Sequence, residues 1–134
     1  MLKSTHLSRI DLNLLVLFEA VLEEKHVARA AVGSVFARRI GIAWPYGTLF
    51  INVTGCLVIA LFLTWSAGRE LNPNWRYFFP VGFVGAYTTF STYEYETIGL
   101  FAAGARSGAA LYVLLSNVLG FAAGLLGIWL GRRI

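Results

Sequence analysis

Apolar and polar residues along this chain fall into long blocks; they neither alternate as in a strand nor form the stripe of a water-facing helix. Residues 49–65, LFINVTGCLVIALFLTW, carry no charge. Trp44 and Trp65 bracket them, and a spacing of 21 positions corresponds to about 31 Å of helix, the thickness of a bilayer's hydrocarbon core. Pro45 suits a first helical turn, so the pattern predicts a span beginning there. A polar turn, SAGRELNPNWR, follows over residues 66–76. Residues 77–103 are long enough to cross the bilayer again, but Gly82, Gly85, two acids and a cluster of hydroxyls predict a broken middle. Backbone freed in this way is tolerated at membrane depth only where protein or water satisfies it. After a loop at 104–108, residues 109–130 form another uncharged block, stopped by Gly131, Arg132 and Arg133. Within it, Gly120, Gly124 and Gly127 leave room for close helix approach.

The first forty residues differ in kind. The apolar run 12–22 is interrupted by Glu19, covers about half a bilayer, and is followed at once by Glu23, Glu24, Lys25, His26 and Arg29. It predicts a helix capped by Asp11 that lies along the membrane surface without spanning it. Acids inside the apolar centre argue against a secretory signal peptide.

Composition strengthens the membrane reading. Of 134 residues, 57% are hydrophobic and 13% charged, and the mean hydropathy is +0.67. A chain this short cannot hide so much apolar surface in one aqueous core. The expected fold class is therefore an all-α membrane protein, a small bundle with three clear transmembrane helices, the one in residues 77–103 broken, plus the N-terminal amphipathic helix. The net charge of +4 comes from scattered Lys and Arg with no basic run, which fits a membrane surface and excludes a nucleic-acid stripe. Arg38, Arg39 and Arg106 flank one face of the spans, and Arg69, Arg76, Arg132 and Arg133 the other. So even a distribution gives the positive-inside rule little to act on and points to insertion in both directions, hence an antiparallel homodimer.

Candidate chemistry concentrates in Gly85-Ala86-Tyr87-Thr88-Thr89-Phe90-Ser91-Thr92-Tyr93-Glu94-Tyr95-Glu96. Phe90 and Tyr93 share a helix face, and their ring edges carry partial positive charge against which an anion can rest. Asn52 offers an amide N–H, and Tyr112 and Ser116, four apart, place hydroxyl donors on one face. Donors without fixed cations suit a small anion in transit, because its hydration is replaced without trapping it. Enzyme templates are absent: Glu94 and Glu96 fall on different helix faces, and no histidine accompanies a nucleophile. Gly82 and Gly85 lack the Lys-Ser/Thr of a phosphate loop. A lone Cys56, with His6 and His26 unpaired by spacing, argues against disulfides and zinc.

With those residues in view, the stretch from about Trp44 to Leu130 resembles the Fluc/CrcB family of fluoride channels. The resemblance rests on Pro45-Tyr46-Gly47-Thr48-Leu49 running to Asn52 and Gly55, on the segment from Gly82 to Tyr93 with Glu96 after it, and on Tyr112 followed by Ser116. It implies a dual-topology homodimer in the cell inner membrane that passively exports fluoride. It also implies a fluoride pathway of Asn52, Phe90, Ser91, Thr92, Tyr93, Glu96, Tyr112 and Ser116, and a structural sodium ion held at the dimer interface by the backbone carbonyls of Gly85 and Thr88. The family often has Phe at both ring positions, whereas Tyr93 adds a hydroxyl here; Gly120 stands where some members carry a second serine.

Family members have four spans, the first an apolar helix ending near an arginine. Here Arg38 and Arg39 occupy the place of the following loop, and no adequate first span precedes them. Residues 7–31 instead resemble the start of a LysR-type transcription regulator, without its recognition helix, so specific DNA binding is not expected. The chain thus divides into an atypical segment, 1–40, and a channel-like membrane domain, 41–134. The alternatives to a fluoride channel are a non-conducting derivative lacking the usual first span and a membrane-tethered LysR-like fragment.

Overall fold

The computed structural model describes residues 27, 30–36, 38–39, 43–72, 74–75 and 78–134. Helix α1 (Tyr46–Ser66) starts directly after Pro45, whose missing N–H costs nothing at a helix start. Its 21 residues run about 32 Å, and it ends in the polar turn the sequence predicts. The next segment is not one helix. A π-helix (Phe78–Val84) passes into a single α-turn, α2 (Gly85–Tyr87); the backbone then extends at Thr88 and Thr89 before α3 (Phe90–Ala102) begins. A tight turn at Gly104, with φ +79°, leads into α4 (Arg106–Gly131). Only glycine adopts that φ without strain. The connection is shorter than the loop expected at 104–108, because α4 already starts at Arg106.

Among the described residues, α1 and α4 are the helices long and apolar enough to cross a membrane. The break expected within residues 77–103 falls at Thr88–Thr89, and it leaves no helix of that length between α1 and α4 among the described residues. The protein is all-helical where described, and no strand occurs among those residues. The predicted surface helix at 11–22 and most of the LysR-like stretch 7–31 lie outside the described residues. Residues 30–36 are helical and pack on the start of α1: the Phe36 and Phe50 rings are 5.4 Å apart, and a Cβ on Gly47 would stand 3.1 Å from the Gly33 Cα.

The most extensive packing joins α1 to α4. Lipid is as apolar as leucine, so two such helices are held by close contact rather than by escape from water. Glycine supplies the closeness. A Cβ at Gly127 would meet Leu57 O at 2.5 Å and Leu61 N at 2.9 Å, and one at Gly131 would meet Leu61 O at 2.8 Å. At Gly120 the neighbour is Cys56 Sγ, at 3.5 Å. Gly124, expected to join this face, has nothing within 4 Å, because it stands at the edge of the contacting face, about 40° round the helix from Gly120. At the far end, Arg69 lies over the Trp65 ring at 4.6 Å and donates to the backbone oxygens of Trp65 and Ile134. The last turns of α1 and α4 are thereby tied together.

Candidate functional site

The break between α2 and α3 is tied to α1 by Asn52. Asn52 on α1 donates through Nδ2 to Thr89 O at 3.1 Å and accepts from Thr89 N–H through Oδ1 at 2.9 Å. An amide matches a peptide group donor for acceptor, so both backbone groups of Thr89 are satisfied where no helix can satisfy them. Thr89 also caps α3: its Oγ1 accepts from Thr92 N–H at 3.3 Å and donates to Thr92 Oγ1 at 2.9 Å. The Thr88 side chain packs directly on Gly55 of α1, where a Cβ would collide with Thr88 Cγ2.

A second cluster lies along α3. Phe90, Tyr93 and Glu96 follow one another at one-turn intervals. The Phe90 and Tyr93 rings are 5.9 Å apart and tilted by 41°; the Tyr93 ring lies 5.3 Å from that of Tyr112 on α4. Tyr112 is fully buried, and its hydroxyl donates to Glu96 Oε2 at 2.8 Å. Thr48 on α1 donates to Glu96 Oε1 at 2.8 Å. Each oxygen of one carboxyl group thus accepts a hydroxyl from a different long helix. Trp44 closes the group, its ring 5.2 Å from Tyr112 in an edge-on arrangement.

Two recesses flank this column. One, of about 400 Å³, is lined by Trp44, Pro45, Tyr46, Thr48 and Glu96. The other, of about 320 Å³, is lined by Asn52, Gly55, Thr88, Thr89 and Phe90. Phe90 is 74% exposed, and Tyr93 stands one turn from it and one turn from Glu96. The ring pair therefore occupies the stretch of α3 between the recesses.

Residues 26–128 match the family model described as CrcB-like protein, Camphor Resistance (CrcB). The chain belongs to the CrcB family. It is 49% identical over 109 residues to the fluoride-specific ion channel FluC of Acidobacterium capsulatum, covering 81% of this chain and 87% of that one. It is 46% identical over 99 residues to the FluC of Trichormus variabilis, 72% of each chain, and 40% identical over 111 residues to that of Coxiella burnetii, 81% of this chain and 89% of that one. The family match starts at residue 26, inside the stretch that resembles a LysR regulator.

Within this CrcB-family chain the pathway residues named from sequence fall into separate groups. Phe90, Tyr93, Glu96 and Tyr112 form one contiguous column. Asn52 and Thr92 belong to the break, where the Asn52 amide engages backbone. Ser91 is exposed and stands apart from both. Ser116 Oγ is buried without a hydrogen-bond partner, beside a groove of about 530 Å³ that Cys56, Asn117 and Gly120 also line. Gly85 is exposed and Thr88 half-buried. Sequence reasoning did not single out Thr48, Thr89 or Trp44 for roles at the site. Thr48 and Asn52 are four apart on a charge-free helix, the same signal that marked Tyr112 and Ser116, and Thr89 opens a T-x-x-T cap pattern.

Proposed function

We propose that this chain is the protomer of a fluoride-specific channel in the cell inner membrane, transporting the ion passively outward and catalysing no reaction. The names of its CrcB-family relatives support fluoride as the ion. The observation that carries the reading is the column on α3, a ring pair between two recesses with hydroxyls gathered at its end. A fluoride ion that sheds water needs O–H donors and positive ring edges at each step, and it must leave each step easily. The Thr48 and Tyr112 hydroxyls are fixed by Glu96, so an arriving fluoride competes with the carboxyl group for donors already in place. That competition keeps each stop shallow. Ser116 Oγ, buried and unpartnered, is a further donor of the same kind.

In this reading the broken segment, π-helix through α3, serves as the third crossing between α1 and α4, and two copies assemble antiparallel as a multi-pass dimer. Their exposed apolar side chains, Ile98 and Phe101 on α3 and Leu114 on α4 among them, then face lipid or the second copy. Sodium is proposed as the structural cation between the copies, held by the carbonyl oxygens of Gly85 and Thr88. The chemistry fits. A continuous helix would aim the N–H groups of Thr89 and Thr92 at those carbonyls, but here they donate to Asn52 Oδ1 and Thr89 Oγ1. Hard oxygen donors freed from helical bonding suit a hard cation. When bound, the ion would supply a fixed positive charge joining the two copies.

The test is ion release from liposomes. Vesicles carrying the purified protein should discharge a fluoride gradient and hold a chloride gradient. Equal release of both ions, or a folded dimer that releases neither, would refute the reading, and the second outcome would support the non-conducting alternative.

A further inference from the structure

We propose that Trp44 is a positioning residue: through Tyr112 it sets the orientation of the Glu96 carboxyl group at the mouth of the pathway. The proposal rests on the pathway reading for its consequence in flux, but its geometry stands separately. A tryptophan at the end of a span is expected to anchor at the lipid surface with its N–H toward water. Trp44 does otherwise. It is half-buried, and its Nε1–H donates to Gly108 O at 3.2 Å, 64 positions along the chain. Gly108 lies one helical turn before Tyr112, so this bond fixes the start of α4 against the start of α1 at the level of the Tyr112 ring.

The ring contacts complete the clamp. Trp44 meets Tyr112 edge-on, with centroids 5.2 Å apart and planes at 73°, and is backed by Tyr46 at 4.7 Å. Tyr93 covers Tyr112 at 5.3 Å. Trp44 and Tyr93 both pack on the fully buried Tyr112 ring, whose hydroxyl donates to Glu96 Oε2. Trp44 and Glu96 share no hydrogen bond, although both line the same recess. Its influence on the carboxyl group therefore runs through Tyr112. The indole packs closely on α4 at this point: a Cβ on Gly108 would stand 3.9 Å from the Trp44 ring, an ordinary contact.

The experiment has a spectroscopic arm and a flux arm. Full-length protein is labelled with 3-fluorotyrosine, and the Tyr112 fluorine resonance is identified by its loss in Tyr112→Phe. Glu96→Gln should shift that resonance in the wild-type background. With Trp44→Ala in place the same substitution should no longer shift it, and Trp44→Phe, which keeps a ring, should restore the response. In liposomes, Trp44→Ala should slow fluoride release about tenfold, equivalent to about 1.4 kcal/mol on the barrier. In the Tyr112→Phe background it should change release less than about twofold, because the relay is already cut. A Glu96 response that survives Trp44→Ala, or losses that multiply in the double variant, overturns the proposal. Should Trp44→Ala fail to fold, Trp44→Leu takes its place in both arms with the same expectations. If wild-type vesicles release no fluoride, the channel reading falls while the fluorine response still decides the role of Trp44.

Discussion

The paired helices α1 and α4 and the broken segment from Phe78 to Ala102 solve the same problem in opposite ways. In α1 and α4 every internal peptide group is satisfied by its own helix, so the pair needs only shape, and the glycines at 127 and 131 supply it. In the broken segment the helix stops at Thr88–Thr89, and backbone groups that lose helical partners are met by the Asn52 amide and the Thr89 hydroxyl. Shape tolerates many sequences. A specific hydrogen-bond pattern tolerates few, and it leaves behind a recess and a ring pair. The difference teaches where function can reside in so small a membrane protein: at a place between the long helices where the backbone gives up its own bonds.

Substitutions that remove either device test this contrast. The largest effect is expected at Gly127, where a side chain would press on the Leu57 carbonyl and the Leu61 amide, which cannot rotate aside. Gly127→Val should destabilise the folded protein in detergent by about 3 kcal/mol or more, read as a fall in the denaturant or thermal midpoint. Asn52→Leu should rank next, at about 2–3 kcal/mol, because it strands a donor and an acceptor of Thr89. Amide exchange should show faster loss of protection at Thr89 than anywhere in α4. Thr89→Val removes only the cap and should cost about 1 kcal/mol, with exchange accelerated at Thr92. Gly124→Ala should be neutral or stabilising by a few tenths of a kcal/mol, since nothing stands within 4 Å and alanine favours the helix. Equal costs at Gly124 and Gly127 would remove the packing half of the contrast.

Much of this was legible in residues whose physics is local. The uncharged blocks marked α1 and α4, Pro45 marked the start of α1, and the glycines and hydroxyls of residues 82–92 marked the break. What escaped depends on partners distant in sequence. Asn52 reads as a donor waiting for an anion, and only the fold brings Thr89 to it, 37 positions away. Trp44 reads as an interfacial anchor until Gly108 meets its N–H. Gly124 and Gly127 look equivalent in a list of small residues, yet their positions round α4 admit one to the contact and leave the other at its edge. The π-helix at Phe78–Val84 also had no signal of its own beyond a general expectation of irregularity.

The central claim is that fluoride passes beside the rings of the broken segment and not along the packed helices. Two phenylalanines offer the direct comparison: Phe90 on α3, 74% exposed with Tyr93 at 5.9 Å, and Phe50 on α1, 45% exposed with Phe36 at 5.4 Å. Fluoride release from liposomes should fall by about a hundredfold or more for Phe90→Ile and stay within about twofold of wild type for Phe50→Ile. Equal release by the two variants, or a greater loss for Phe50→Ile, would contradict the account.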